Sequence, residues 1–348
     1  MKRSDADIPT VFYVVMFIAG LVVILGGMMY ARPILIPFMM ASFIAIICNG
    51  PITRLREKGI PLWLALIIVL ILISSICFVA AYVVGSSAKD FLQNLPQYEN
   101  KLNQDMQHLI GFMNSKGVQM QGRMITELIN PAFAMKYAGA LFTGASNLMA
   151  NGLVILLIVI FMLIEADSFP AKLEKMYGDD NQKRFQIKQF NDSVKQYMII
   201  KTLVSLVTGF LATVCLLVIG VDYPVLWGVI VFVFNFMPNI GSIIAAVPPV
   251  LLAVAQLGPG SALATAISFL TINMFMGNVV EPRVMGKGLG LSTLVVFLSL
   301  LFWGWILGPV GMFLSVVLTM KLKIMLDCNE DTKWLGVLLG PSPDDEGE

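Results

Sequence analysis

Charge is what this chain has least of. Only 13% of its 348 residues are Asp, Glu, Lys or Arg, against about 25% in ordinary soluble domains. Apolar residues make up 57%, and mean hydropathy is +0.83. The composition excludes a soluble globular enzyme, a disordered chain and a disulfide scaffold. A water-soluble fold cannot hide this much apolar surface, so the solvent is lipid. The formal net charge of +1 gives no basic bias, so no nucleic-acid partner is expected.

Histidine is nearly absent as well. The single one, His108, lies in a polar segment. Histidine proton relays, zincin motifs and Ser-His-Asp triads at membrane depth are thereby excluded, and no enzyme is expected. Of four cysteines, Cys48, Cys77 and Cys215 sit in apolar runs and Cys328 stands alone. None pair at metal-ligand spacing, so neither disulfide, metal nor cofactor is expected. A phosphate-binding loop is also missing. Val284-Met-Gly-Lys-Gly288 lacks the upstream glycine and the following Ser or Thr, which argues against ATP-driven transport by this chain alone. No small-x-small site follows the first apolar run, since Met29-Tyr30-Ala31 puts Met where a small residue is needed. The N-terminus therefore does not read as a cleaved leader.

What remains is a series of charge-free runs. Val11 to Met29, Ile34 to Cys48, Leu62 to Val84, Leu141 to Ile164 and Thr202 to Ile219 come first. Two longer stretches follow without any charge, Tyr223 to Val280 and Gly288 to Met320. The pattern predicts an all-α, polytopic membrane protein with about seven to nine spanning or re-entrant helices. Residues 1–88 hold the first transmembrane helices. Residues 89–137 form a polar helical segment outside the membrane, with Leu102, Met106, Leu109, Ile110 and Met113 at helical spacing. A further span occupies 138–164. Residues 165–201 read as an amphipathic segment, 202–326 as the transport core and 327–348 as an acidic tail.

The last two stretches do not read as straight helices. Asn235-Phe-Met-Pro-Asn-Ile-Gly-Ser242 interrupts one and Gly308-Pro309 the other. Proline removes an amide donor and glycine weakens a helix. The flanking pieces fall short of the roughly 20 residues that a span needs. Broken or re-entrant helices are expected near 235–242 and 308–309. Irregular backbone at membrane depth survives only inside protein or beside a water-filled cavity, so a polar cavity is expected there.

Orientation follows from Lys and Arg. If the N-terminus is cytoplasmic and the spans alternate, the cytoplasmic segments hold 17 of these residues and the outer ones 6. The bias predicts that both termini are cytoplasmic.

An intramembrane charge is a functional signal by default. On this segmentation Lys201, Asp222 and Glu281 fall at span ends, where side chains snorkel to water. Glu281 and Arg283 are close enough in sequence to pair at the mouth of a cavity, with Lys287 nearby. The alternative is an interfacial loop with solvated charges. Deeper polar residues are neutral: Asn235, Asn239, Ser242, Ser268, Thr271, Asn273, Asn278, Ser292, Thr293 and Ser299. Hydrogen bonds between helices account for Ser268, Thr271 and Ser299. Asn235 and Asn239 flank the break and are the stronger path candidates. Trp303 and Trp305 suit an interfacial belt, and Gly304-Trp-Ile-Leu-Gly308 suits close helix packing.

Asn235-Phe-Met-Pro-Asn-Ile-Gly-Ser-Ile-Ile-Ala-Ala-Val-Pro-Pro249 resembles the proline-glycine motif of the autoinducer-2 exporter family. So does Gly277-Asn-Val-Val-Glu-Pro-Arg-Val-Met-Gly-Lys-Gly-Leu-Gly-Leu-Ser292. The stretch Leu294 to Leu318 is similar to the same family's C-terminal signature. Ile36-Pro-Phe38 and Asn49-Gly-Pro51 also fit. The resemblance implies export of a small neutral signal, autoinducer-2, across the bacterial inner membrane. It also implies a homo-oligomer, pentameric in form. Some relatives are instead sodium- or lithium-proton antiporters. Several carry an acidic residue where this chain has Asn235, and many carry proline in place of Val317.

The reading is a transporter for a small neutral polar solute. Asn235, Pro238, Asn239, Gly241 and Ser242 form the unwound path, joined by Asn273 and Asn278. Glu281, Arg283 and Lys287 gate the mouth. Gly286, Gly288, Gly290, Gly308 and Pro309 are hinges. The alternatives are a cation–proton antiporter using Glu281 and Arg283, and a non-transporting scaffold or receptor.

Overall fold

The computed structural model describes residues 10–115, 152–166, 181–238, 240–285, 290–327 and 332–341. Among the described residues all regular structure is helical. Six helical segments are long and apolar enough to cross a membrane, and four shorter helices are equally apolar. The chain is an all-α, polytopic membrane protein.

Helix α1 (Thr10–Tyr30) turns at Ala31 into α2 (Arg32–Glu57). Arg32 caps a distant helix. Its guanidinium donates to the carbonyls of Trp305 and Ile306. These carbonyls have no partner inside their own helix, and a cation suits that end of the dipole.

Helix α3 (Leu62–Ser115) has 54 residues, or about 80 Å at 1.5 Å per residue. Its membrane-crossing part is Leu62–Phe91. The polar segment expected after residue 88 is thus, as far as Ser115, a continuation of the third span. The side chains of Leu102, Met106, His108, Leu109, Ile110 and Met113 lie outside the described residues.

Helix α4 (Gly152–Ala166) packs Ile155, Val159 and Leu163 against Ala41, Ala45, Cys48 and Ile52 of α2 and Ala65, Leu66 and Val69 of α3. The spacing of three to four residues on each helix is what one buried face requires.

Helix α5 (Asn181–Ile219) is continuous for 39 residues. This corrects the segmentation at Lys201. The stretch long and apolar enough to cross is Asp192–Ile219, and Lys201 and Ser205 lie one turn apart within it. Helices α6 (Pro224–Phe234) and α7 (Ile240–Leu257) follow as a pair. Next come α8 (Pro259–Phe275), a π turn (Met276–Val280) and α9 (Glu281–Met285). The chain ends with α10 (Thr293–Leu307), α11 (Pro309–Asp327) and the short α12 (Lys333–Leu338).

Both expected breaks are present, with sharper limits. The first covers residues 235–238, and the helix resumes at Ile240. Gly241 and Ser242 therefore belong to the first turn of α7, not to unwound backbone. The second is a tight reversal. Gly308 has φ +70° and Pro309 opens α11, so α10 and α11 form an antiparallel hairpin. Proline at the first position has no orphan amide, which makes it a good starter.

The α6–α7 pair enters and leaves at one end of the bundle. The backbone amide of Asp222, just before α6, donates to the Gln256 side-chain oxygen at the end of α7 at 3.0 Å. The Gln256 amide also reaches the Asp222 carboxylate. The second half of α3 lies across this point. Tyr98 donates to Asp222 at 2.9 Å, Asn94 to the Tyr223 hydroxyl at 2.9 Å and Lys101 to the Gln256 carbonyl at 2.6 Å. Phe91 packs edge-on against Tyr223 and Trp227. We call this assembly the clasp.

Candidate functional site

The site is built on one face of α5. Tyr197, Lys201 and Ser205 follow at i, i+4 spacing and therefore stack along one side of the helix. All three are buried, Ser205 at 0% exposure and Lys201 at 4%. Two other elements meet this face, the tip of the α6–α7 hairpin and the π turn after α8.

The tip reaches α5 because two glycines let the backbones touch. A methyl on Gly209 would lie 2.6 Å from the Gly228 carbonyl oxygen. One on Gly228 would lie 1.8 Å from the Thr213 hydroxyl. Only Gly–Gly contact permits this approach. At the tip, Asn235 donates from its side-chain amide to the Ser205 hydroxyl at 3.0 Å. One residue on, Phe236 is buried in an aromatic cluster. Its ring centroid lies 4.4 Å from Phe313 of α11, 5.5 Å from Phe43 of α2 and 5.6 Å from Phe232. Aromatic pairs at such distances are each worth about 0.5–1.5 kcal/mol beyond area burial. The tip is thus pinned on both sides.

The second contact is ionic. Lys201 Nζ lies 2.5 Å from Glu281 Oε1, with side-chain exposures of 5% and 20%. The π turn explains how Glu281 gets there. Pro282 has no amide, and its ring would clash with the carbonyl of Asn278 in a continuing α-helix. Widening one turn removes the clash. The Glu281 amide reaches back to the Met276 carbonyl, and the extra residue in that turn re-aims the carboxylate. Met276, Ile272 and Val280 pack against Ile200 and Val204 of α5 around it.

Two expectations are corrected here. Lys201 and Glu281 do not reach out to water as snorkelling side chains would; they pair inside the bundle. Glu281 pairs with Lys201 rather than Arg283, which is exposed. The broken-helix region is therefore not free of ionic groups. Bringing a charge out of water costs several kcal/mol even after relaxation, so a lone Lys201 here would be prohibitive and the partner is obligatory.

The other expected residues scatter. Asn235 is in the site. Pro238 shapes the turn, its carbonyl accepting from Ile240 at 2.6 Å. Ser242 and Asn273 are half-buried, while Asn278 is exposed on the π turn. Gly290 and Gly308 have φ +63° and +70°, which suits glycine alone. Asn239, Gly286, Lys287 and Gly288 lie outside the described residues. Ser268 and Ser299 donate to carbonyls of their own helices, Ala264 at 2.8 Å and Val296 at 2.8 Å, not to neighbouring helices. Trp303 donates to Thr319 at 3.0 Å, so it bridges α10 and α11. Among the described residues no cluster of three or more His, Cys, Asp or Glu is placed to hold a metal.

Sequence reasoning missed Tyr197, Lys201 and Ser205. The signal was available: Tyr197, Lys201, Ser205 and Thr208 recur at helical spacing through an apolar run. Ending the polar segment at Lys201 cut that face in two.

A buried ion pair on α5 and an amide–hydroxyl contact one turn on thus tie the hairpin tip and the π turn to the same helix face. A family model described as AI-2E family transporter matches residues 13–329. The chain belongs to that family. It is a multi-pass membrane protein of a transporter class. The AI-2 transport protein TqsA of Escherichia coli K12 is 38% identical over 327 residues, covering 94% of this chain and 95% of that protein. A Haemophilus influenzae relative is 39% identical over 333 residues, covering 94% and 96%. The E. coli K12 protein YhhT is 34% identical over 346 residues, covering 98% and 97%.

Proposed function

We propose that this chain exports autoinducer-2, a small neutral polar signal, across the bacterial inner membrane, and that it catalyses no reaction. The observation that carries the reading is the Asn235–Ser205 contact, where a re-entrant tip meets the buried face of α5. Irregular backbone within a membrane survives only inside protein or beside a water-filled cavity, and the second of these supports a solute path. Amide and hydroxyl groups there can exchange hydrogen bonds with a neutral solute at little desolvation cost. The family, and the similarity to a relative named for AI-2 transport, support the same substrate.

In this reading both termini are cytoplasmic, in keeping with the Lys and Arg bias. The clasp then faces outward and the Lys201–Glu281 pair lies on the cytoplasmic side of the tip. The path runs past Asn235, Pro238, Asn239, Gly241, Ser242, Asn273 and Asn278. Glu281, with Arg283 and Lys287, lies at its inner mouth, and Gly286, Gly288, Gly290, Gly308 and Pro309 are hinges. The protein works as a homo-oligomer in lipid. The antiporter alternative leaned on a Glu281–Arg283 pair, and Lys201 occupies that place.

The test is signal efflux from cells expressing wild type or Asn235→Leu at matched membrane levels. Leucine fills the space but cannot donate to Ser205. Efflux is expected to fall by roughly tenfold, the value of one lost hydrogen bond of about 1.4 kcal/mol. Unchanged efflux would overturn the site assignment.

A further inference from the structure

The Lys201–Glu281 pair stands at the inner mouth of the path with no chemistry yet assigned to it. Three observations make it more than a structural clamp. It is buried inside the bundle, where exchanging an ion pair for apolar residues of similar volume is often neutral or favourable for stability. A fold that needed only cohesion there would gain nothing from charge. The pair also lies one turn of α5 from the Ser205–Asn235 contact, on the same face, so the two polar contacts are continuous. Finally, it is open on one side. Lys201 is sealed at 5% side-chain exposure, while Glu281 keeps 20%.

We propose that Lys201 and Glu281 are the recognition pair for a neutral solute carrying hydroxyls on adjacent carbons. This rests on the transport reading and names the chemistry of its solute. The ammonium offers donors only and the carboxylate acceptors only. A solute that parts them must give an oxygen to Lys201 and an O–H to Glu281. One hydroxyl can do either, and two neighbouring hydroxyls do both at once. Charge sets the other boundary. A cation approaching Glu281 meets Lys201, and a carboxylate approaching Lys201 meets Glu281. The pair sums to zero and admits solutes that sum to zero. Without solute the two residues satisfy each other, so the empty site carries no unpaired charge.

The experiment uses the full chain, purified and reconstituted. Four proteins are compared: wild type, Lys201→Met, Glu281→Gln and the double variant Lys201→Met/Glu281→Leu. Two readouts are taken, efflux of labelled autoinducer-2 from proteoliposomes and thermal stabilisation by erythritol, its dideoxy analogue, ethanolamine and glycolate. Wild type is expected to be stabilised by erythritol and not by the other three. Each single variant should lose efflux by at least tenfold. The double variant should melt like wild type yet recover neither efflux nor stabilisation by erythritol. If it transports at the wild-type rate, the pair is only a clamp and the proposal fails. Equal stabilisation by the dideoxy analogue, the amine or the acid also refutes it, as does no stabilisation of wild type by erythritol. Erythritol stabilisation that depends on the pair, with no efflux of autoinducer-2, leaves the recognition chemistry standing and overturns the transport reading instead.

Discussion

Gly241 offers the sharpest test of how the re-entrant tip is made. It opens α7, and its amide bonds back to the Met237 carbonyl at 3.3 Å. A methyl placed there would lie 1.8 Å from the Phe234 carbonyl oxygen and 2.8 Å from its carbon. Real contacts of this kind are essentially never closer than 3.0 Å. Both of these atoms are backbone, so no rotamer change relieves the clash. Moving from 1.8 to 3.0 Å requires the two ends of the break to separate by about 1.2 Å. The side chains of Asn235 and Phe236 would move with them.

Overpacking with flexible neighbours costs about 1–3 kcal/mol, and a backbone clash belongs at the upper end or beyond. Gly241→Ala is expected to destabilise by about 3 kcal/mol or more, and to lower efflux further because Asn235 leaves Ser205. Two other glycines calibrate the result. Gly304→Ala meets only the Met312 side chain, at 2.7 Å and beyond, and thioethers rearrange cheaply. Gly85→Ala in α3 meets nothing within 4 Å, and alanine suits a helix by about 0.5–1 kcal/mol. Melting of the purified full chain should therefore rank Gly85→Ala at or above wild type, then Gly304→Ala, then Gly241→Ala far below. A Gly241→Ala protein that melts and transports like wild type would refute the close-packed tip.

Two further outcomes follow from contacts elsewhere. Burial, reinforced by its hydrogen bond to Asp222, holds the Tyr98 phenol above the usual range. Folding thus favours the neutral phenol. The stability it contributes is complete below the ordinary value of about 10 and is lost as pH rises beyond it. Alkaline melting curves of wild type should fall more steeply above that pH than those of Tyr98→Phe, and parallel curves would reject the clasp. Arg32→Gln should cost about 0.5–1 kcal/mol through the lost charge at the end of α10. The loss should shrink in high salt, where an exposed helix-end charge is screened, and a salt-independent loss would point to packing instead.

How much of this was legible beforehand depends on what each feature rests on. The spans rest on apolar length, which composition shows directly. The break after Phe234 rests on Pro238 and its neighbours, and local backbone chemistry shows that as well. Its far limit was misjudged because Gly241 reads as a helix breaker. In the fold it starts a helix, since only a residue without a side chain fits against Phe234. Lys201 was misplaced for a different reason. A charge at the edge of an apolar run normally marks the edge of a span. Here a carboxylate 80 positions away in sequence takes it into the bundle. Nothing local to Lys201 announces that partner, and Glu281 reaches it only through the widened turn ahead of Pro282. The clasp was hidden similarly, because Tyr98, Asp222 and Gln256 lie in three separate segments.

The correction at Lys201 changes the argument for a neutral solute without changing its conclusion. A path empty of charge favours a neutral solute by default, because nothing in it would compensate an ion. It says little about which neutral solute, since amides and hydroxyls hydrogen-bond most polar molecules. A path holding one cation and one anion in contact is more demanding. It rejects ions of either sign, because each is drawn by one member and repelled by the other. It also rejects apolar solutes, which would part the two charges and offer neither a replacement. Only a neutral molecule with donor and acceptor oxygens side by side can replace what each half loses. On the proposed recognition by Lys201 and Glu281, the ion pair narrows the substrate class where an uncharged path would widen it, and a variant with both charges removed should become less selective as well as slower.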